Sequence, residues 1–131
     1  MKYGICLSTF NEYADPNLLA DLAVEIEQSG WDSVFLWDHL IFNAVVRQPI
    51  IHPWVAMSAI ASRTKHIKIG TYVTPIPRYP PWILAKETAA LDILSKGRFL
   101  LGAGLGGPAI EYTAFGQQYN IKVLAEKLDE S

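Results

Sequence analysis

Residues 91–104, "LDILSKGRFLLGAG", change character three times within one short stretch. Apolar residues at helical spacing run to Leu94, Gly97 interrupts them, an apolar run from Arg98 to Ala103 follows, and glycines then take over. A helix closed by glycine in the left-handed position, then a strand, then a glycine-rich turn is the second half of a βαβ repeat. Upstream, Pro80 and Pro81 open that helix, which runs through "WILAKETAALDIL", and a strand from Ile67 to Val73 precedes it.

The same unit recurs towards the N-terminus. Strands are predicted over Tyr3 to Leu7 and Ser33 to Trp37, each rich in β-branched or aromatic residues. Between them, Asp15 supplies a helix N-cap and Pro16 a first helical residue whose missing N–H costs nothing. Leu18, Leu19, Leu22, Ala23 and Ile26 then share one face, and Gly30 ends the helix. A second helix starts at Pro53 and runs through "WVAMSAIASR". Strand starts near residues 3, 33, 67 and 98 give a period of about 30, the length of one βα unit. Strands this continuously apolar belong to a parallel sheet covered by helices. Two α/β architectures fit: an open doubly wound sheet, or a stretch of a (β/α)8 barrel, which takes about 250 residues when complete.

Both architectures place function just beyond the C-terminal ends of the strands. Those ends carry Ser8, Thr9 and Phe10; Asp38 and His39; Thr71 to Pro75; and the run "GAGLGGP". Polar groups gathered at one rim of otherwise apolar strands make a pocket. In "SVFLWDHL", residues 33–40, an apolar strand delivers two ionisable groups together. A histidine there can exchange a proton near neutral pH, and a carboxylate can fix its tautomer or hold a heterocyclic N–H. The bland alternative is a turn-capping Asp38 and a satisfied rim histidine. Gly102, Gly104 and Gly107 satisfy G-x-G-x-x-G ahead of a short helix opened by Pro108, but the motif follows the fourth strand rather than the first. A tight turn with close backbone approach to a ligand fits it better than a dinucleotide fingerprint.

Composition narrows the rest. A chain of 131 residues, half of them hydrophobic, is expected to form a single domain over 1–131. A net charge of −2, from 11 basic and 13 acidic side chains, argues against nucleic acid or an anionic membrane as partner. No apolar run approaches the roughly 20 residues of a membrane span, and "MKYGICL" lacks a signal-peptide cleavage site, so a cytoplasmic protein is expected. Cys6, the single cysteine, is expected to be a buried, reduced thiol. His39, His52 and His66 lack ligand-like spacing, so no metal is expected; His52 reads as a helix-opening residue, and His66 begins a strand at the far end from the rim. No nucleophile elbow is present.

"GWDSVFLWDHL", "IKIGTYVTPIPRYPPWILAKETAALDILSKGRFLLGAGLG", "EYTAFG" and the closing "AEKLDES" together resemble the luciferase-like monooxygenase superfamily of flavin- and deazaflavin-dependent oxidoreductases. The resemblance runs in order along nearly the whole chain and selects the TIM-type (β/α)8 barrel, here about its first four βα units. It implies FMN or the deazaflavin coenzyme F(420) as cofactor, bound at the C-terminal rim, and a small-molecule substrate. By resemblance His39 is the acid/base or substrate-polarising group and Asp38 a contact to the cofactor ring. Thr71, Tyr72 and Val73 match the end of the third strand, where a non-proline cis peptide often lies behind the ring, and Tyr72–Val73 is the expected bond. Gly104, Leu105 and Gly106 match the loop that approaches the cofactor. Members run to about twice this length, so a half-barrel is expected either to be part of a longer enzyme or to self-associate over its open edges. A half-barrel that folds or oligomerises but is catalytically inactive is the alternative function.

Overall fold

A computed structural model of the chain describes residues 1–41 and 48–131. Its principal sheet holds four parallel strands, β1 (Gly4–Leu7), β2 (Ser33–Leu36), β3 (Lys68–Thr71) and β5 (Phe99–Leu100), in the order β1-β2-β3-β5. A second pair, β4 (Thr74–Pro75) and β6 (Ala103–Gly104), continues the third and fourth strands beyond a break. Helices α1 (Pro16–Gln28), α2 (Pro53–Arg63) and α3 (Pro81–Ser95) are the crossovers, followed by a short α4 (Ile110–Thr113) and by α5 (Ile121–Glu130).

The punctuation residues set the helix limits. Asp15 caps α1 by accepting from the Asn17 N–H at 2.8 Å, and Pro16 occupies the first helical position. Gly30 and Gly97 both take φ near +80°, at +83° and +76°, each just past a helix end. Of the expected α1 face, Leu19, Ala23 and Ile26 are buried, whereas Leu18 points outward and Ala20 takes its place.

Register decides which face of the sheet is the core. Ile5 pairs with Val34 and Val34 with Ile69; Leu7 pairs with Leu36. In parallel strands paired residues share a face, and this one packs on the helices. Val34, Leu36 and Ile69 are fully buried there against Leu19, Ala23, Met57 and Ile60. Each buried aliphatic side chain contributes about 1.5–3 kcal/mol. The opposite face carries Cys6, Phe35, Gly70 and Leu100, and Leu100 is 42% exposed. Sequential strand order with the core on a single face is the winding of a barrel; a doubly wound sheet reverses its order and buries both faces.

Two expectations are corrected by this geometry. Cys6 is exposed, not buried, because strand alternation turns it to the inner face, away from the helices. Burial of its surroundings still pushes the thiol pKa up, against a hydrogen bond with Trp37 that lowers it. The third and fourth strands are also not continuous over 67–73 and 98–103. Each breaks after a few residues and resumes as β4 and β6.

Arg98 closes the end of the sheet opposite the rim. Its Nε donates to the Ser95 carbonyl at 2.7 Å, and its two terminal nitrogens reach the carbonyls of Ala61, Thr64 and Ile67 and the Thr64 hydroxyl. One buried guanidinium thus satisfies the orphan carbonyls where α2 and α3 end, and its charge complements both helix dipoles. Replacing Arg98 by Met leaves those carbonyls buried without donors. We expect a loss of about 3 kcal/mol in urea unfolding, with Arg98→Lys recovering only part, because one ammonium cannot span four acceptor residues. Equal midpoints for wild type and Arg98→Met would refute this role.

Candidate functional site

Three strand ends deliver charged groups to one point at the rim. Asp38 and His39 follow β2; Arg78 and Tyr79 end the short 3-10 turn Ile76–Arg78 that follows β4; Glu111 lies on α4, beyond β6. The Arg78 guanidinium joins them. One terminal nitrogen donates to Asp38 Oδ1 and to the Asp38 carbonyl, both at 2.7 Å, and the other donates to Glu111 Oε2 at 2.7 Å. The side chains of Arg78, Asp38 and Glu111 are 5%, 2% and 0% exposed. Little water is left to screen the two ion pairs.

The remaining acceptor positions are filled as well. Tyr79 O–H donates to Asp38 Oδ2 at 2.8 Å. Glu111 Oε1 accepts from His39 Nδ1 at 3.0 Å and from the backbone N–H groups of Leu40 and Ile41 at 2.8 and 3.0 Å. A carboxylate only accepts, so in this contact His39 Nδ1 carries the proton. The Trp37 indole meets the His39 ring edge-on at 5.8 Å.

Burial divides the two carboxyls by their partners. Desolvation raises the Asp38 pKa, and Arg78 and Tyr79 only partly offset it. Desolvation also acts on Glu111, but His39, the Ile41 N–H and Arg78 together hold its carboxyl below the usual glutamate range. Desolvation and the neighbouring Asp38 carboxylate push Tyr79 well above the ordinary tyrosine range. Tyr79 is therefore a hydrogen-bond donor throughout the physiological range.

Beside this network lies an open cavity of about 360 Å³, lined by Asp38, His39, Tyr72, Val73, Pro75, Leu105, Gly106 and Gly107. The Tyr72–Val73 peptide bond is cis, the bond singled out from the sequence, and Tyr72 is 69% exposed at the cavity edge. Six of the sequence-predicted residues thus meet in one place: Asp38, His39, Tyr72, Val73, Leu105 and Gly106. Thr71 and Gly104 do not line it. Thr71 is buried behind it, with its hydroxyl accepting from the Thr74 hydroxyl at 2.8 Å and from the Gly102 N–H at 3.2 Å.

The glycine run packs against this bend in the chain itself. A Cβ on Gly104 would stand 2.6 Å from a Val73 methyl carbon, and Gly106, at φ +74°, lies against Pro75. At Gly104 the close approach within the chain is to the Val73 side chain. Arg78, Tyr79 and Glu111 were not singled out from the sequence. "PRYP" and "EYTAFG" offered a signal, since each sets charged or hydroxyl-bearing residues next to apolar ones beyond a strand end.

The sequence model of the luciferase-like monooxygenase family matches residues 1–130. Curated relatives include F(420)-dependent glucose-6-phosphate dehydrogenases. The chain is 39% identical to that of Microbacterium testaceum over 123 residues, covering 86% of this chain and 33% of the relative. For the enzyme of Amycolatopsis mediterranei the figures are 37% over 116 residues, 82% and 33%. The chain therefore spans about a third of the length of these relatives. Among solved structures, an F(420)-dependent secondary alcohol dehydrogenase in complex with an F(420)–acetone adduct superposes with a TM-score of 0.81 at 28% identity, over 99% of this chain and 40% of that one. The oxygenating constituent of 3,6-diketocamphane monooxygenase from Pseudomonas putida, in complex with FMN, shares the fold, with a TM-score of 0.82 at 22% identity over 99% of this chain and 37% of that one.

Removing the guanidinium strands two buried carboxylates. Arg78→Leu is expected to cost about 3–5 kcal/mol at pH 7. The penalty should shrink in acid, and the sign follows from Glu111. Its folded pKa is depressed, so its contribution is complete above the unfolded value of about 4.3 and is lost as pH falls through the folded one. Asp38, with a raised folded pKa, favours the fold most in acid and less as pH rises through that value, so it does not restore the penalty at low pH. Urea unfolding of both proteins at pH 7 and at about pH 2.5, well below the ordinary glutamate value, measures the gap; equal gaps would contradict the pairing.

Proposed function

The chain belongs to the luciferase-like monooxygenase family of flavin- and F(420)-linked oxidoreductases, and from that premise we propose that its rim cavity receives the ring of coenzyme F(420), with His39 exchanging the proton of a small alcohol substrate. The observation that carries the reading is the placement of His39. It lines the cavity together with Tyr72, Val73 and Leu105, while its Nδ1 is tied to the buried Glu111. The two relatives described above and a solved alcohol dehydrogenase at 28% identity are F(420)-dependent by name, which favours the deazaflavin over FMN.

The residues present fit a planar, hydrogen-bonding ring. The cavity falls within the volume range of ligand pockets, joins an apolar wall of Val73, Pro75 and Leu105 to the polar Asp38 and His39, and carries the exposed ring of Tyr72 at its edge. When bound, the deazaflavin supplies a two-electron hydride acceptor. Asp38 has both carboxylate oxygens engaged by Arg78 and Tyr79, so its part is to brace the rim. In the oxidation of an alcohol, His39 Nε2 would accept the substrate O–H proton, while the bound deazaflavin would be the hydride acceptor. The imidazolium so formed is stabilised by Glu111, which already accepts from Nδ1.

A second reading has its own support: the chain as given holds the ring weakly. Among the described residues no lysine or arginine lines the cavity to meet a phosphate, and the inner face of the sheet stands open at Leu100.

Fluorescence titration with F(420) and, separately, with FMN separates the readings. We expect saturable binding of F(420), tighter than that of FMN; no response to either up to millimolar concentration would exclude the cofactor site in this chain. With secondary alcohols and hexose phosphates as substrates, His39→Ala should bind F(420) within about threefold of wild type and lose about 100-fold or more in turnover. Unchanged turnover would remove His39 from the reaction.

A further inference from the structure

We infer that Glu111 is a positioning residue, whose carboxylate holds the neutral His39 ring in the Nδ1–H form and so makes Nε2 the proton acceptor at the cavity. This rests on the reading of His39 as the group that takes the substrate proton, and it adds what makes the histidine an acceptor rather than a donor. An exposed neutral imidazole exchanges its proton between both nitrogens; a fixed carboxylate on one side removes that choice.

Glu111 is built for the task. Its side chain is fully buried, so it cannot swing to water, and each oxygen has a fixed duty. Oε2 is pinned by Arg78 at 2.7 Å, which sets the carboxylate plane. Oε1 meets His39 Nδ1 while also accepting from the N–H groups of Leu40 and Ile41, the two residues that follow the histidine. The same oxygen therefore fixes both the ring and the backbone that carries it. Arg78 is in turn held from the far side by Asp38, whose second oxygen is held by Tyr79. Among the described residues, the charged and titratable groups linked to Glu111 are thus His39, Arg78 and, through Arg78, Asp38 with Tyr79.

The tautomer can be read without any substrate. In the ¹⁵N-labelled chain at about pH 8, above the ordinary imidazole range, long-range ¹H–¹⁵N correlation distinguishes the protonated ring nitrogen from the bare one. We expect wild-type His39 to show Nδ1 protonated and Nε2 bare. Glu111→Gln keeps an acceptor oxygen and should keep that pattern, whereas Glu111→Ala should shift it towards the mixed pattern of an exposed histidine. A wild-type ring protonated on Nε2 overturns the inference whether or not either variant folds, and so does an unchanged pattern in folded Glu111→Ala. With F(420) added, Glu111→Ala should bind the cofactor as wild type does, and its turnover should fall at least tenfold, with Glu111→Gln intermediate. Failure of the wild type to bind F(420) would sink the functional reading and leave the tautomer result standing.

Discussion

The rim is organised by one guanidinium lying between two buried carboxylates. Taken alone, neither Asp38 nor Glu111 belongs in a site from which water is excluded, since an unpaired buried charge costs several kcal/mol. Arg78 makes both tolerable at once, and its planar fork meets them from separate nitrogens. The geometry of the rest follows. Tyr79 takes the last oxygen of Asp38, and His39 and the two amides beyond it take the last oxygen of Glu111. Such a pairing adds little net stability compared with a well-packed apolar cluster. What it supplies is a single arrangement of side chains that would otherwise sample many.

The scaffold that allows this is made at the opposite end of the sheet. Arg98 ties the ends of α2 and α3 to the start of the fourth strand, and the aliphatic layer between sheet and helices fixes the spacing of the strands. The rim loops therefore leave a rigid base. The breaks after β3 and β5 then bend the chain inward, where Gly104 nests against Val73 and brings Leu105 and Gly106 to the cavity. Side-chain-free positions are needed there because a Cβ on Gly104 would stand 2.6 Å from a Val73 methyl carbon, and one on Gly102 would run into the Thr71 carbonyl oxygen.

Much of this was legible from local chemistry. Asp15–Pro16, Pro53, Pro80–Pro81, Gly30 and Gly97 mark helix limits through backbone restrictions that act within a few residues, so the sequence shows them directly. Asp38 and His39 were visible because two ionisable groups ended an apolar strand. What escaped was of longer range. The partners of Arg78 are 40 and 33 residues away, and His39 and Glu111 are separated by 72, distances over which no periodicity carries information. Cys6 misled for a related reason. An apolar run does not reveal which of its alternating residues faces helices and which faces the inner side of the sheet, and here the cysteine took the inner side.

The same separations govern how the site comes into being. Each βα unit can collapse on its neighbour using contacts about 30 residues apart, but the Arg78 junction needs the segments after β2, β4 and β6 in place together. Closing loops of that span has an entropic cost before any charge pair rewards it. The junction is complete only when all three segments are in place. A chain caught with only two units docked would already have its aliphatic layer and helices, yet present a rim with no cavity and an unoriented histidine. A formed rim is, in this architecture, a report that the last of these segments has arrived.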